Sequence, residues 1–178
     1  MDELAYMDAE ESRGEKFLGE LGPPDKGKEH GGAWVKASAV ADSGAEEHAL
    51  PPDVFPFLKV TPSWASKAGK AFRGAGKERI PAQGKRVTRG TTREGNHLVT
   101  TWEVCPVKRP LLSLVKLAKA GNLVKIGADQ AHIFNIATKK VTRLRKEGNV
   151  FMLDFWVWNP HDTKADRGSV FGRQGVMP

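Results

Sequence analysis

A single cysteine, Cys105, stands in 178 residues. One thiol cannot build an internal disulfide framework, and it fits a reducing compartment. There is no C-x-x-C pair, and the five histidines are scattered, so no zinc site is expected. No apolar run approaches membrane-spanning length. The first residues, Met1-Asp2-Glu3, are acidic, unlike the start of a secretory signal. Gly74-Ala75-Gly76-Lys77 lacks the G-x-x-x-x-G-K-[ST] spacing and the following helix of a phosphate loop.

Glycine and proline are plentiful instead, at 19 and 11, against an apolar fraction of 39%. Such a chain turns often and can build a core for about 120 of its residues. Charge is uneven. Residues 1–32 hold nine acids and four bases, whereas the remainder holds twelve acids and twenty-four bases. Residues 1–32 therefore read as an acidic, disordered tail, with a short helix around 8–18. Residues 33–158 read as one domain and residues 159–178 as a polar C-terminal tail. The basic domain admits an acidic or nucleic-acid partner as well as a merely solvated surface.

Within the domain, an apolar run from Val35 to Ala41 ends at Asp42-Ser43-Gly44. This reads as a buried strand delivering a carboxylate to a tight turn. Ser43 can bond nearby backbone, and Gly44 lets the chain approach without a side chain. His48 is expected to make a local hydrogen bond. Leu50, Val54, Phe55 and Phe57 anchor a proline-rich strand or loop. Gly74–Arg79 marks a hairpin whose glycines permit a mobile cover. Arg86-Val87-Thr88 suggests a strand. His97–Val107 is the clearest strand, with Leu98, Thr100, Trp102 and Val104 on one face. Pro110–Gly121 reads as the one helix, burying Leu111, Leu114, Val115 and Ala118 and closed by Gly121. Four further strands follow: 123–126, 132–136, 141–145 and 150–157. The basic residues from Lys139 to Lys146 alternate with apolar ones, as on a strand with one wet face. The fold class is thus all-β, mainly β with one short α-helix, in a small barrel-like domain.

The order of these motifs resembles the retropepsin-like aspartic proteases, most closely the protease of copia-type retrotransposon polyproteins. Asp42-Ser43-Gly44-Ala45-Glu46-Glu47-His48 matches the family's Asp-Ser-Gly-Ala with its later His. Ala75–Gly84 is similar to the family's flap region, with its Asp absent. Pro110-Leu111-Leu112-Ser113, Leu117 and Gly121 look like the family's late Asn-Leu-Leu-Ser helix; viral relatives carry a glycine where Ser113 stands. Gly148–Asp154 resembles the closing Gly-Asn-Leu-Tyr-Val-Leu-Asp. The similarity covers about residues 34–157.

The resemblance implies a retropepsin-like acid-protease barrel and an aspartic endopeptidase that processes a polyprotein. With one such turn per chain, it implies a homodimer in which each copy supplies Asp42. Ser43 and Gly44 would brace that pair. Ala45, Gly74, Ala75, Gly76 and Ile80 would bind the extended peptide, and Leu111, Leu112 and Ser113 would pack behind the turn. No cofactor or membrane is implied, and the setting would be intracellular, cytoplasmic or in a virus-like particle. Two other readings stand beside it. One is a retropepsin-fold module that does not cleave and serves dimerisation or peptide binding. The other is a basic nucleic-acid-binding domain using Arg79, Lys85, Arg86, Arg143 and Arg145, against which the lack of interleaved exposed aromatics counts.

Overall fold

The computed structural model describes the strand Leu4–Ala5 and residues 32–74 and 76–162. The helix expected around 8–18 and most of both tails lie outside these residues. The described chain is mostly β. Its strands are β1 (Leu4–Ala5), β2 (Ala33–Asp42), β3 (Ala49–Leu50), β4 (Ala71–Arg73), β5 (Arg79–Pro81), β6 (Gly84–Thr92), β7 (His97–Val104), β8 (Leu111–Ser113), β9 (Asn122–Ile126), β10 (Ala131–Asn135), β11 (Val141–Glu147) and β12 (Val150–Asn159). Two short helices, α1 (Trp64–Lys67) and α2 (Leu114–Lys119), complete it. Among the described residues no helix is long and apolar enough to cross a membrane.

Six strands pair in a closed circuit, β7-β3-β8-β2-β12-β6 and back to β7. β11, β10 and β9 extend the sheet from β12 as an antiparallel meander, and β1 adds to β7. β4 and β5 form a separate hairpin. One apolar cluster joins the circuit: Ala39 of β2, Leu50 of β3, Leu98 and Trp102 of β7, Leu112 of β8, and Leu153 and Phe155 of β12. Trp102 stacks on Phe155 with centroids 5.7 Å apart, and its Nε1–H donates to Thr88 Oγ1 at 2.8 Å. In register beside Phe155 and Leu153 lie only Ala37 and Ala39. The small side chains of β2 thus leave volume for the large ones of β12 and β7.

The clearest expected strand holds, with Leu98, Thr100, Trp102 and Val104 all buried. The four late strands also appear, within a residue or two of their expected bounds. β6 contains the expected strand Arg86-Val87-Thr88. Arg86 is buried and Val87 is 42% exposed. Arg86 faces inward because its guanidinium donates to the carbonyls of Pro52 and Val54, holding the proline-rich loop. Gly90 is needed farther along this strand, since a Cβ there would stand 2.3 Å from the carbonyl oxygen of Trp156.

The expected helix is cut short. Leu111–Ser113 is strand, and helix begins only at Leu114. β2 pairs with all three residues in a parallel ladder, and β3 pairs with Leu111 on the other side. Starting later shifts the buried face: Leu117 is fully buried, while Val115 is 46% exposed and Ala118 is also exposed. Gly121 closes the helix as expected, with a φ of 80°. The helix α1 was not foreseen. A capping box between Ser63 and Ser66 starts it, and four residues are too few to show a period.

Candidate active site

Asp42 is the last residue of β2 and is half-buried. Its Oδ1 accepts from the Gly44 N–H at 2.8 Å, so the turn folds back on its own carboxylate. Ser43 and Gly44 are exposed. β8 runs parallel to β2, with Asp42 opposite Ser113, and lies between β2 and β3. The loop of residues 43–48 must therefore arch over the end of β8 to connect β2 to β3.

Three ties from the β8–α2 junction hold that loop. Ser113 Oγ–H donates to the Ala45 carbonyl at 2.6 Å. The Ser113 N–H donates to His48 Nδ1 at 3.0 Å. Lys116 on α2 pairs with Glu47 at 2.5 Å, its own side chain only 12% exposed. Ser113 Oγ also accepts from the Lys116 N–H at 3.2 Å, capping α2. One serine thus holds the helix start and the loop together.

His48 is 1% exposed and meets the edge of Trp102 at 5.7 Å. Its hydrogen bond reaches across 65 residues and is not local. Because Nδ1 accepts, the neutral imidazole carries its proton on Nε2. The pairing of Lys116 with Glu47 was not foreseen from sequence; the two lie 69 positions apart and form no local pattern.

The structure brings Asp42, Ser43, Gly44 and Ala45 together with Ser113 and its neighbours Leu111 and Leu112. Ile80 lies on the hairpin, paired with Phe72, and Gly74 and Gly76 sit at its tip. Ala75 lies outside the described residues. The hairpin is anchored at its base, where the Ala82 N–H donates to Lys70 O and the Gln83 N–H to Val104 O. The segment leading into it is fixed by Ser63, whose hydroxyl donates to Glu103 at 2.8 Å.

Cys105 is buried, and burial together with the charge of Glu103 pushes its thiol up to about 11. It is a poor nucleophile at neutral pH. Among the described residues, no group of three His, Cys, Asp or Glu side chains converges to hold a metal.

A scan of family models finds no match to this chain, and searches of curated proteins and of solved structures find none either.

Proposed function

We propose that the protein is an aspartic endopeptidase of the retropepsin type, active as a homodimer with one Asp42 from each copy. The observation that carries the reading is the turn itself. Asp42-Ser43-Gly44 ends a core strand, lies in register with Ser113, and is held by the β8–α2 junction. A carboxylate so fixed suits chemistry that needs two such groups at one place.

Two carboxylates brought together across a two-fold axis cannot both ionise cheaply and share one proton, the arrangement for which aspartic proteases are the type case. The ionised Asp42 takes a proton from a water held between the two. The water oxygen attacks the scissile carbonyl carbon, and the protonated Asp42 gives its proton to the carbonyl oxygen. The tetrahedral adduct then collapses, the amide nitrogen leaves with a proton, and the carboxyl product is released. The substrate lies extended, bonded through its backbone as an added strand. The glycine-tipped hairpin covers it, with Ile80 and Gly76 as contacts.

The test is cleavage of a peptide library at mildly acidic pH by the wild type and by Asp42→Asn, with light scattering to report the assembly. Cleavage by the wild type that falls at least a thousandfold in the variant supports the reading. Cleavage equal in both overturns it. Silence from a folded wild-type dimer overturns it too and leaves a non-cleaving module of the same fold.

A further inference from the structure

Away from the Asp42 turn, the outer face of the β2–β12 ribbon gathers a second set of groups. Register places Trp34 opposite Trp158, Lys36 opposite Trp156, and Ser38 opposite Asp154. These share one face, since the residues of the other parity (Ala37, Ala39, Leu153, Phe155 and Val157) pack in or against the core. Asp154 receives Arg145 through two hydrogen bonds, at 2.8 and 3.1 Å, and the Ser38 hydroxyl at 2.5 Å. Glu147 takes the remaining edge of Arg145 at 2.6 Å.

Arg145 thereby shares its one charge between two acids, Asp154 and Glu147. Two more cations reach the Asp154 carboxylate, so the cluster holds three bases against two acids. Lys36 lies 3.4 Å away and Arg93 3.8 Å away, with side chains 45% and 70% exposed. They are loosely held and face solvent. Lys36 Nζ also stands 5.5 Å from the centre of the half-buried Trp156 ring. Trp34 and Trp158 meet edge to face at 5.5 Å and close the platform at one end.

We propose that this face binds single-stranded nucleic acid, with Lys36 and Arg93 taking phosphates and the Trp156 ring stacking a base. The chemistry selects this partner. An acidic peptide would satisfy the two cations but has no use for a flat ring beside Lys36, whereas a strand of nucleotides offers anions and π-faces in alternation. The charge of the domain agrees, with twenty-one bases against ten acids over residues 33–158. The aromatics whose absence from the sequence pattern argued against nucleic acid are supplied by pairing two strands more than a hundred residues apart. The proposal does not depend on the peptidase reading.

The experiment is fluorescence anisotropy of a labelled twelve-nucleotide oligouridine with the full chain, across a range of salt. Binding is expected at low salt and should weaken as salt rises. Lys36→Ala with Arg93→Ala, two exposed positions, should reduce the logarithmic salt slope by about 1.4, the value for two lost single-strand phosphate contacts. Trp156→Ala should weaken binding about 5- to 160-fold with the slope unchanged, and Trp156→Phe should restore most of it. Should Trp156→Ala fail to fold, the double variant and Trp156→Phe carry the test. No binding at low salt overturns the proposal, as does wild-type affinity and slope in the double variant, which would place the contact elsewhere on the basic surface.

Discussion

Burial alone would raise the Asp154 carboxyl, but hydrogen bonds from Arg145 and Ser38, with the charges of Lys36 and Arg145, outweigh it and hold the group down to about 2. The folded value lies below the ordinary 3.8, so the group stabilises the fold at any pH above about 4. That stability is lost as pH falls through about 2. The difference corresponds to about 2 kcal/mol. Urea unfolding at pH 6 and at pH 2 should show this loss in the wild type and a smaller one in Asp154→Asn. An equal loss in both would assign the acid sensitivity to other carboxylates. His48 acts at the same scale. His48→Phe keeps the ring against Trp102 but leaves the buried Ser113 N–H without its acceptor, which should cost about 1–3 kcal/mol in chemical denaturation. An unchanged midpoint would show that the bond contributes nothing.

Among the elements, the junction of β8 and α2 has the widest reach. Its residues were read from sequence as the first turn of a helix, because Leu111, Leu114, Val115 and Ala118 have helical spacing. They carry no mark of the two strands that flank them in space, and ladder hydrogen bonds on both sides override the periodicity. The hairpin was legible, since Gly74 and Gly76 between short extended runs encode a reversal locally. The Asp42 turn was legible for the same reason. Its clamp was not, because Ala45 and Ser113 are 68 residues apart. Ser113→Ala should remove both the helix cap and the Ala45 tie. A loss of about 1–2 kcal/mol is expected, with faster hydrogen exchange at the Gly44 amide. Exchange unchanged at Gly44 would mean that the turn stands without the clamp.

For the molecule as a whole, the proposed catalytic unit needs two chains, and this has an arithmetic consequence. In an equal mixture of wild type and Asp42→Asn that exchanges subunits, only about a quarter of dimers carry two aspartates. Mixing should therefore halve the activity that the wild-type chains show alone. Activity untouched by excess variant, with exchange demonstrated, would rule out a dyad shared between chains. Trp102, fully buried at the centre of the circuit, belongs to this scale as well, because the cluster it fills joins β3, β7, β8 and β12.

By itself the sequence determined the all-β class of the fold, most of its longer strands and turns, and the acid that ends the first core strand. Each of these is written in residues close together in the chain: the alternation of β7, the glycines of the hairpin, the run into Asp42-Ser43-Gly44. Tertiary structure alone decided the rest. It made Leu111–Ser113 a strand, turned Arg86 inward, set Ser113 and Lys116 over the loop, and laid Lys36 beside Trp156. These outcomes depend on which strands become neighbours. β2 and β12 are joined by none of the local rules that shape either strand, so the chemistry of their shared face exists only once the core has brought them together.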